Sequence, residues 1–269
     1  MYVLSNNQVS LLRASVVLTV LAMLSSSAHA QEVRDFCAER PGKGTPPCIL
    51  DKGRIQAEVG LADAVFERSH GAHGETYAIG AAEFRMGLTT RLEAEVGWTP
   101  YIIDRQHGAG TVRGTGDALV GARFALTDPD KIGPALSIQG FVTAPTATHG
   151  LGAGGWTGGV RLPASLPIGS SALGLTPEVD IVRDSRGHGT HMAWSNTIGV
   201  SRDLGTASFG TELWGQVDDD PSRRVYKASA DFTAALLIGK NAQLDAGVNI
   251  GLNHATADAE VYAGIAKRF

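Results

Sequence analysis

After Asp51 the chain alternates apolar and polar side chains one for one, in stretches broken by short clusters of Gly, Asp, Asn, Pro and Ser. In residues 243–253, Leu244, Ala246, Val248, Ile250 and Leu252 fall on one side, and Gln243, Asp245, Gly247, Asn249, Gly251 and Asn253 on the other. A period of two belongs to a pleated strand, whose successive side chains point to opposite faces, and not to a helix. The same alternation sets Tyr226, Ala228, Ala230, Phe232, Ala234, Leu236 and Ile238 against Lys227, Ser229, Asp231 and Thr233. It sets Leu92, Ala94, Val96 and Trp98 against Glu93 and Glu95, and Ala118, Val120, Ala122, Phe124 and Leu126 against Asp117, Gly121 and Arg123. Leu173, Leu175, Val179 and Ile181 stand in the same way against Glu178 and Asp180.

The pattern predicts twelve strands, beginning near Arg54, Glu75, Arg91, Thr115, Pro134, Trp156, Ser171, Thr190, Ala207, Val225, Asn241 and Glu260. Their connections alternate between tight turns (LTT, TDPDKIG, PIGSS, DLGT, GKNA) and longer polar loops (SHGAHG, RQHGAGTVRGTG, PTATHGLGAGG, DSRGHG, DDDPSRR, NHATAD). Alternation alone serves a soluble sandwich with its apolar faces inward or a membrane barrel with its apolar face outward. Strand length separates them: the stretches run about ten to fourteen residues, against roughly 9–11 for a tilted membrane strand and roughly 5–6 for ordinary strands. An even strand number, asymmetric rims and aromatics near strand ends point the same way. Trp98, Tyr101, Trp156, Tyr226 and Tyr262 fall toward the long-loop rim, and Phe84, Phe124, Phe209 and Phe269 toward the tight rim. The expectation is an all-β, transmembrane antiparallel up-and-down β-barrel over residues 54–269.

Residues 1–30 read as a cleaved secretory signal peptide: one charge at Arg13, an apolar run over 14–24, and an A-x-A site at Ala28, His29 and Ala30. Residues 31–53 are then expected as an N-terminal periplasmic segment. Cys37 and Cys48 are the only cysteines, and in an exported chain they are expected to form a disulfide. The whole chain carries 23 Lys and Arg against 27 Asp and Glu, a net charge of −4, and loss of Arg13 with the leader makes it −5. That balance argues against nucleic-acid binding.

Three segments resemble a family of bacterial outer-membrane proteins, the transporter-like barrels of the meta-pathway of phenol degradation. They are RPGKGTPPC, the hairpin FRMGLTTRLEAEVG and the closing NAQLDAGVNIGLNHATADAEVYAGIAKRF. Lys267 departs from the pattern, which more often has an aromatic two residues before the terminal Phe; snorkelling to the periplasmic interface would accommodate it. The resemblance implies a closed barrel in the outer membrane of a Gram-negative cell and passage of small, hydrophobic or aromatic solutes. The terminal Phe269 resembles the signal that barrel assembly machinery reads, so the expected partners are that machinery, outer-membrane lipid and a solute.

Candidate chemistry is sparse. His188, His191 and Ser195 in RGHGTHMAWSN invite a lipid-acting enzyme, but four strand residues put His191 and Ser195 roughly 13 Å apart, far beyond a nucleophile–base hydrogen bond of about 3 Å. GLGAGG, residues 150–155, matches a dinucleotide fingerprint, yet it precedes a strand where that motif requires a following helix. No catalytic, cofactor-binding or metal residue is assigned, and no cofactor is expected. The inward set of Glu58, Arg85, Glu93, Glu95, Asp117, Arg123, Arg161, Glu178, Asp180, Lys227, Asp231 and Asp245 is expected to line the lumen, chiefly as an ion-pair lattice. Twelve strands exceed the eight whose interior side chains can fill and fall short of open porins, so a narrow or plugged pore follows. The functional expectation is a non-enzymatic transporter or narrow channel; the alternatives are an outer-membrane lipid-acting enzyme and a secreted β-sandwich binding protein.

Overall fold

A computed structural model describes residues 33–69, 72–186 and 189–269. The expected signal peptide lies outside these residues, as does His188. The unit Arg34–Phe269 contains sixteen strand segments. These are β1 (Ile55–Ser69), β2 (Ala72–Ile79), β3 (Ala81–Gly87), β4 (Leu92–Trp98), β5 (Tyr101–Gln106), β6 (Gly110–Gly114), β7 (Ala118–Ala125) and β8 (Ala135–Ala144). The remainder are β9 (Thr157–Arg161), β10 (Ala164–Ile168), β11 (Ser171–Arg183), β12 (Thr190–Leu204), β13 (Ala207–Asp220), β14 (Arg223–Ile238), β15 (Ala242–Gly251) and β16 (Ala259–Arg268).

These segments make twelve staves, because four staves are interrupted. β2 and β3 both pair with β1, and they part at Gly80, whose φ of 74° few other residues tolerate. β4 and β5 part at Thr99 and Pro100, β6 and β7 at residues 115–117, and β9 and β10 at Leu162 and Pro163. Proline has no N–H to give the ladder, so strands break there. Neighbouring staves pair antiparallel throughout, and β16 returns to β1 from Gln56↔Arg268 to Phe66↔Ala259. The sheet therefore closes and keeps no free edge, as a bilayer interior requires.

The two faces are inverted relative to a soluble protein. Val120, Val142, Ile198, Leu213 and Phe232 stand exposed, while Arg85, Glu93, Arg123 and Asp231 are fully buried. A sandwich would bury the first group; only lipid outside and protein inside suit both. Trp98, Tyr101, Trp156 and Tyr226 are exposed near one rim, and Phe84, Phe124, Phe209 and Phe269 toward the other. Tyr262 departs from its expected place in the outer girdle: it is buried on the inward face.

Three expected loops are largely strand. RQHGAGTVRGTG forms the β5–β6 hairpin, paired to Gln106↔Gly110. DDDPSRR continues β13 and β14 to Asp220↔Arg223, and the described residues of SHGAHG pair as far as Ser69↔Ala72. Backbone pairing is indifferent to side-chain polarity, and cross-strand ion pairs such as Arg224–Asp219, 2.7 Å, take over where apolar neighbours stop. The glycine-rich 145–156 remains a loop. Asp117 accepts from the backbone N–H of Ala147 and of Ala153, each 2.8 Å, so this residue ties down a loop and is not part of the ion-pair lattice.

Candidate functional site

The segment expected to lie in the periplasm runs inside the barrel instead. Residues 34–50 have no apolar–polar period and no strand partner, so their N–H and C=O groups need other company. Wall side chains supply it. Glu58 accepts from the N–H of Glu39 (3.0 Å) and of Arg40 (3.1 Å), and Glu93 from that of Leu50, 2.8 Å. Tyr262 Oη accepts from Gly42 N, 3.0 Å, and Glu212 from Lys43 N (2.8 Å) and Gly44 N (3.1 Å). Thr45 N donates to Thr176 Oγ1, 3.1 Å, and Thr176 returns a bond of the same length to Thr45 O. Irregular backbone at membrane depth is tolerated only when it is satisfied inside protein in this way.

Two arginines form the centre of this strap. Arg85 donates to both cysteine carbonyls, Cys37 O at 3.1 Å and Cys48 O at 3.3 Å. Its remaining donors reach Glu93 at 2.7 Å and Glu58 at 3.3 Å. Arg123 donates to Pro46 O (3.1 Å) and Cys48 O (3.0 Å) and is bonded to Glu39. The Arg123 and Arg85 guanidinium groups both face the Glu39 carboxylate and offset the cost of burying it. Cys37 and Cys48 are joined as a disulfide with Cα atoms 6.5 Å apart. Thus the loop is closed covalently, and the same two residues are gripped by the wall.

Of the sequence-predicted lumen residues, Glu58, Arg85, Glu93 and Arg123 hold the strap directly. Arg161 reaches Thr45 Oγ1 at 3.3 Å and Glu178 at 3.0 Å, and Asp245 pairs with Arg40 of the strap at 3.1 Å. Glu95 accepts from Gln139 Nε2, 2.6 Å, and Asp180 lies against the small surface of Gly159. Lys227 makes no ion pair among the described residues. The pattern missed Glu212, Tyr262 and Arg268 as strap anchors; Arg268 donates to Arg34 O (2.7 Å) and Asp35 O (3.2 Å). Each occupied an inward alternation position, which was the available signal.

The strap is bonded to both sides of the wall, at Glu58 and Glu93 of β1 and β4 and at Thr176, Glu212 and Tyr262 of β11, β13 and β16, and space remains beside it. A cavity of about 210 Å³ lies between Pro41, Pro46 and Pro47 of the strap and a wall of small side chains that includes Ser165, Gly174 and Ser201.

Two other groupings carry less. Carboxylate oxygens of Glu39, Glu93 and Glu95 lie within 4.8 Å of one another, but Arg123 stands 3.5 Å from Glu93 and 3.9 Å from Glu95. Two guanidinium groups already occupy the cluster and offset most of its charge, so its chemistry does not suit a metal ion. His191 is engaged at both ring nitrogens, with Asp184 at 2.9 Å and Asp218 at 2.6 Å. Ser195 stands opposite Glu178 and Gln216, away from that ring.

Together these features define a transmembrane β-barrel with an internal, disulfide-closed strap. The chain belongs to the family described as "Putative MetA-pathway of phenol degradation", which it matches over residues 38–269. It is similar in fold to an outer-membrane channel from Pseudomonas putida F1, at 15% identity and a TM-score of 0.67, over 86% of this chain and 99% of that one. The translocator domain of the autotransporter NalP from Neisseria meningitidis is a more distant likeness, at 13% identity and a TM-score of 0.51, over 96% and 98% of the two chains. No curated protein sequence matches the chain.

Proposed function

We propose that this protein is an outer-membrane channel that passes small solutes through the slot between the strap and the β10–β14 wall. The observation that carries this reading is the cavity of about 210 Å³ between the strap and the inner wall. It is smaller than the roughly 300 Å³ at which pockets for drug-sized ligands begin, so only compact solutes fit. The family's description supports small aromatic compounds as candidates, and the Pseudomonas putida likeness is itself a channel. Conversion of the solute is no part of the proposal, because both ring nitrogens of His191 are committed to carboxylates.

Purified protein in planar bilayers or proteoliposomes tests it. Heat-modifiable migration with measurable flux of small uncharged solutes is the expected result; a folded barrel passing neither ions nor such solutes would sink the channel reading. Export to the outer membrane and recognition of Phe269 by the assembly machinery belong to the same proposal. Phe269 N donates to Ile55 O, 2.8 Å, so the last residue completes the seam while its exposed ring stays available. Deleting Phe269 is expected to lower the amount of assembled, heat-modifiable barrel in outer-membrane fractions, and an unchanged amount would remove its role as a signal.

A further inference from the structure

The inner wall of β13–β16 carries a row of oxygen-bearing side chains at one height. Register places Glu212 opposite Asp231, Asp231 opposite Asn249 and Asn249 opposite Glu260. Asp63 lies diagonally beyond on β1, opposite Tyr262. One strap cation reaches this row: Lys43 Nζ is 3.4 Å from Glu260 and 5.0 Å from the Trp214 ring centre. Arg40 is paired with Asp245 at 3.1 Å.

The row is under-satisfied, and its unmet atoms are pure acceptors except for the Ser229 hydroxyl, which stands beside Asp231. Asp231 is fully buried, and neither of its carboxylate oxygens meets a donor among the described residues. The same holds for Ser229 Oγ, Asn249 Oδ1 and Asp63 Oδ1. Asn249 gives its amide N–H to Glu260, 2.7 Å, which leaves its oxygen as the free end. Every unmet atom is an oxygen that can accept, and buried charge without a partner is costly. Oxygen ligands are what hard cations take, directly or through retained water. Glu212 joins this row to the slot, because it also lines the cavity beside the strap.

We infer that the Glu212–Asp231–Asn249–Glu260 row is a station for a hard inorganic cation on the passage, and that it makes the channel cation-selective. Acidic side chains around a pore favour cations in this manner. Lys43 acts there as a tethered competitor, occupying the Glu260 end of the row from the strap. Asp231 is the residue to test, since it is committed to no strap backbone group, whereas Glu212 anchors Lys43 and Gly44.

This inference rests on the channel reading, so the experiment separates the two. Wild type, Asp231→Asn and Lys43→Met are reconstituted in planar bilayers under a potassium chloride gradient, and uptake of a small uncharged sugar is followed in proteoliposomes. Wild type is expected to prefer potassium over chloride, Asp231→Asn to lower that preference severalfold with sugar uptake unchanged, and Lys43→Met to raise potassium conductance. Sugar uptake with no preference for potassium, or a preference untouched by Asp231→Asn, would overturn the station and leave the channel standing. Absence of both ion and sugar passage would remove the channel and the station together.

Discussion

Replacing Arg85 by methionine is expected to release the strap and to destabilise the barrel more than any other single change in the lumen. The guanidinium is fully buried and serves Cys37 O, Cys48 O, Glu58 and Glu93 at once. Removing one partner from a buried ion pair costs about 3–5 kcal/mol, because the other charge is left uncompensated. The two carbonyls add little, because Cys37 O keeps its bond from Gln56 (2.9 Å) and Cys48 O its bond from Arg123 (3.0 Å). Methionine keeps much of the volume, so the loss is electrostatic and not a cavity. The urea midpoint of the heat-modifiable form should fall, residues 34–50 should become open to protease, and bilayer current should rise. Adding Glu93→Gln should recover part of the midpoint, since it removes a carboxylate left with only Arg123, at 3.5 Å, as a charged partner. An unchanged midpoint with a protected strap would show that Arg85 does not hold it.

The second large effect is expected from the disulfide. Cys37→Ser with Cys48→Ser opens a loop of sequence separation 11, and chain-entropy arguments put closure of such a loop at about 3 kcal/mol. In this barrel the effect reaches function, because the two cysteine carbonyls must stay close enough for one guanidinium to hold both. Opened, the loop should exchange between seated and displaced arrangements, visible as larger and more fluctuating single-channel currents. Reducing agent on the wild type should reproduce the change, provided it reaches the lumen. Combining the serine pair with Arg85→Met should cost less than the two effects added, since both act on the same contact. Strict additivity, or quiet current in the serine pair, would separate the disulfide from gating.

The two rims show where local pattern and tertiary context part. Turn chemistry is local: Gly205, with φ of 69°, joins β12 to β13 where a two-residue hairpin needs positive φ, and DLGT announced it. Polar runs such as DDDPSRR looked like loops because hydropathy was the guide. Their strands continue because Asp219 and Arg224 face each other across the ladder, a relation that composition does not display. Tyr262 illustrates the reverse case. Its alternation position pointed inward while its aromatic character suggested the girdle, and the hydrogen bond from Gly42 resolved the conflict in favour of the lumen.

The sequence by itself determined the staves, their number and which side chains share a face. These are consequences of a period-two backbone, in which residue i and residue i+2 must share a face, so they can be read along the chain. Only the tertiary structure decided that residues 34–50 enter the lumen and which wall groups receive them. Those partners lie from 18 residues away, at Glu58 for Arg40 N, to 234 away, at Arg268 for Arg34 O. A strap without periodicity carries no record of its place. Its backbone groups accept whatever complementary side chains the closed barrel presents, and those are brought to one height only when β16 meets β1.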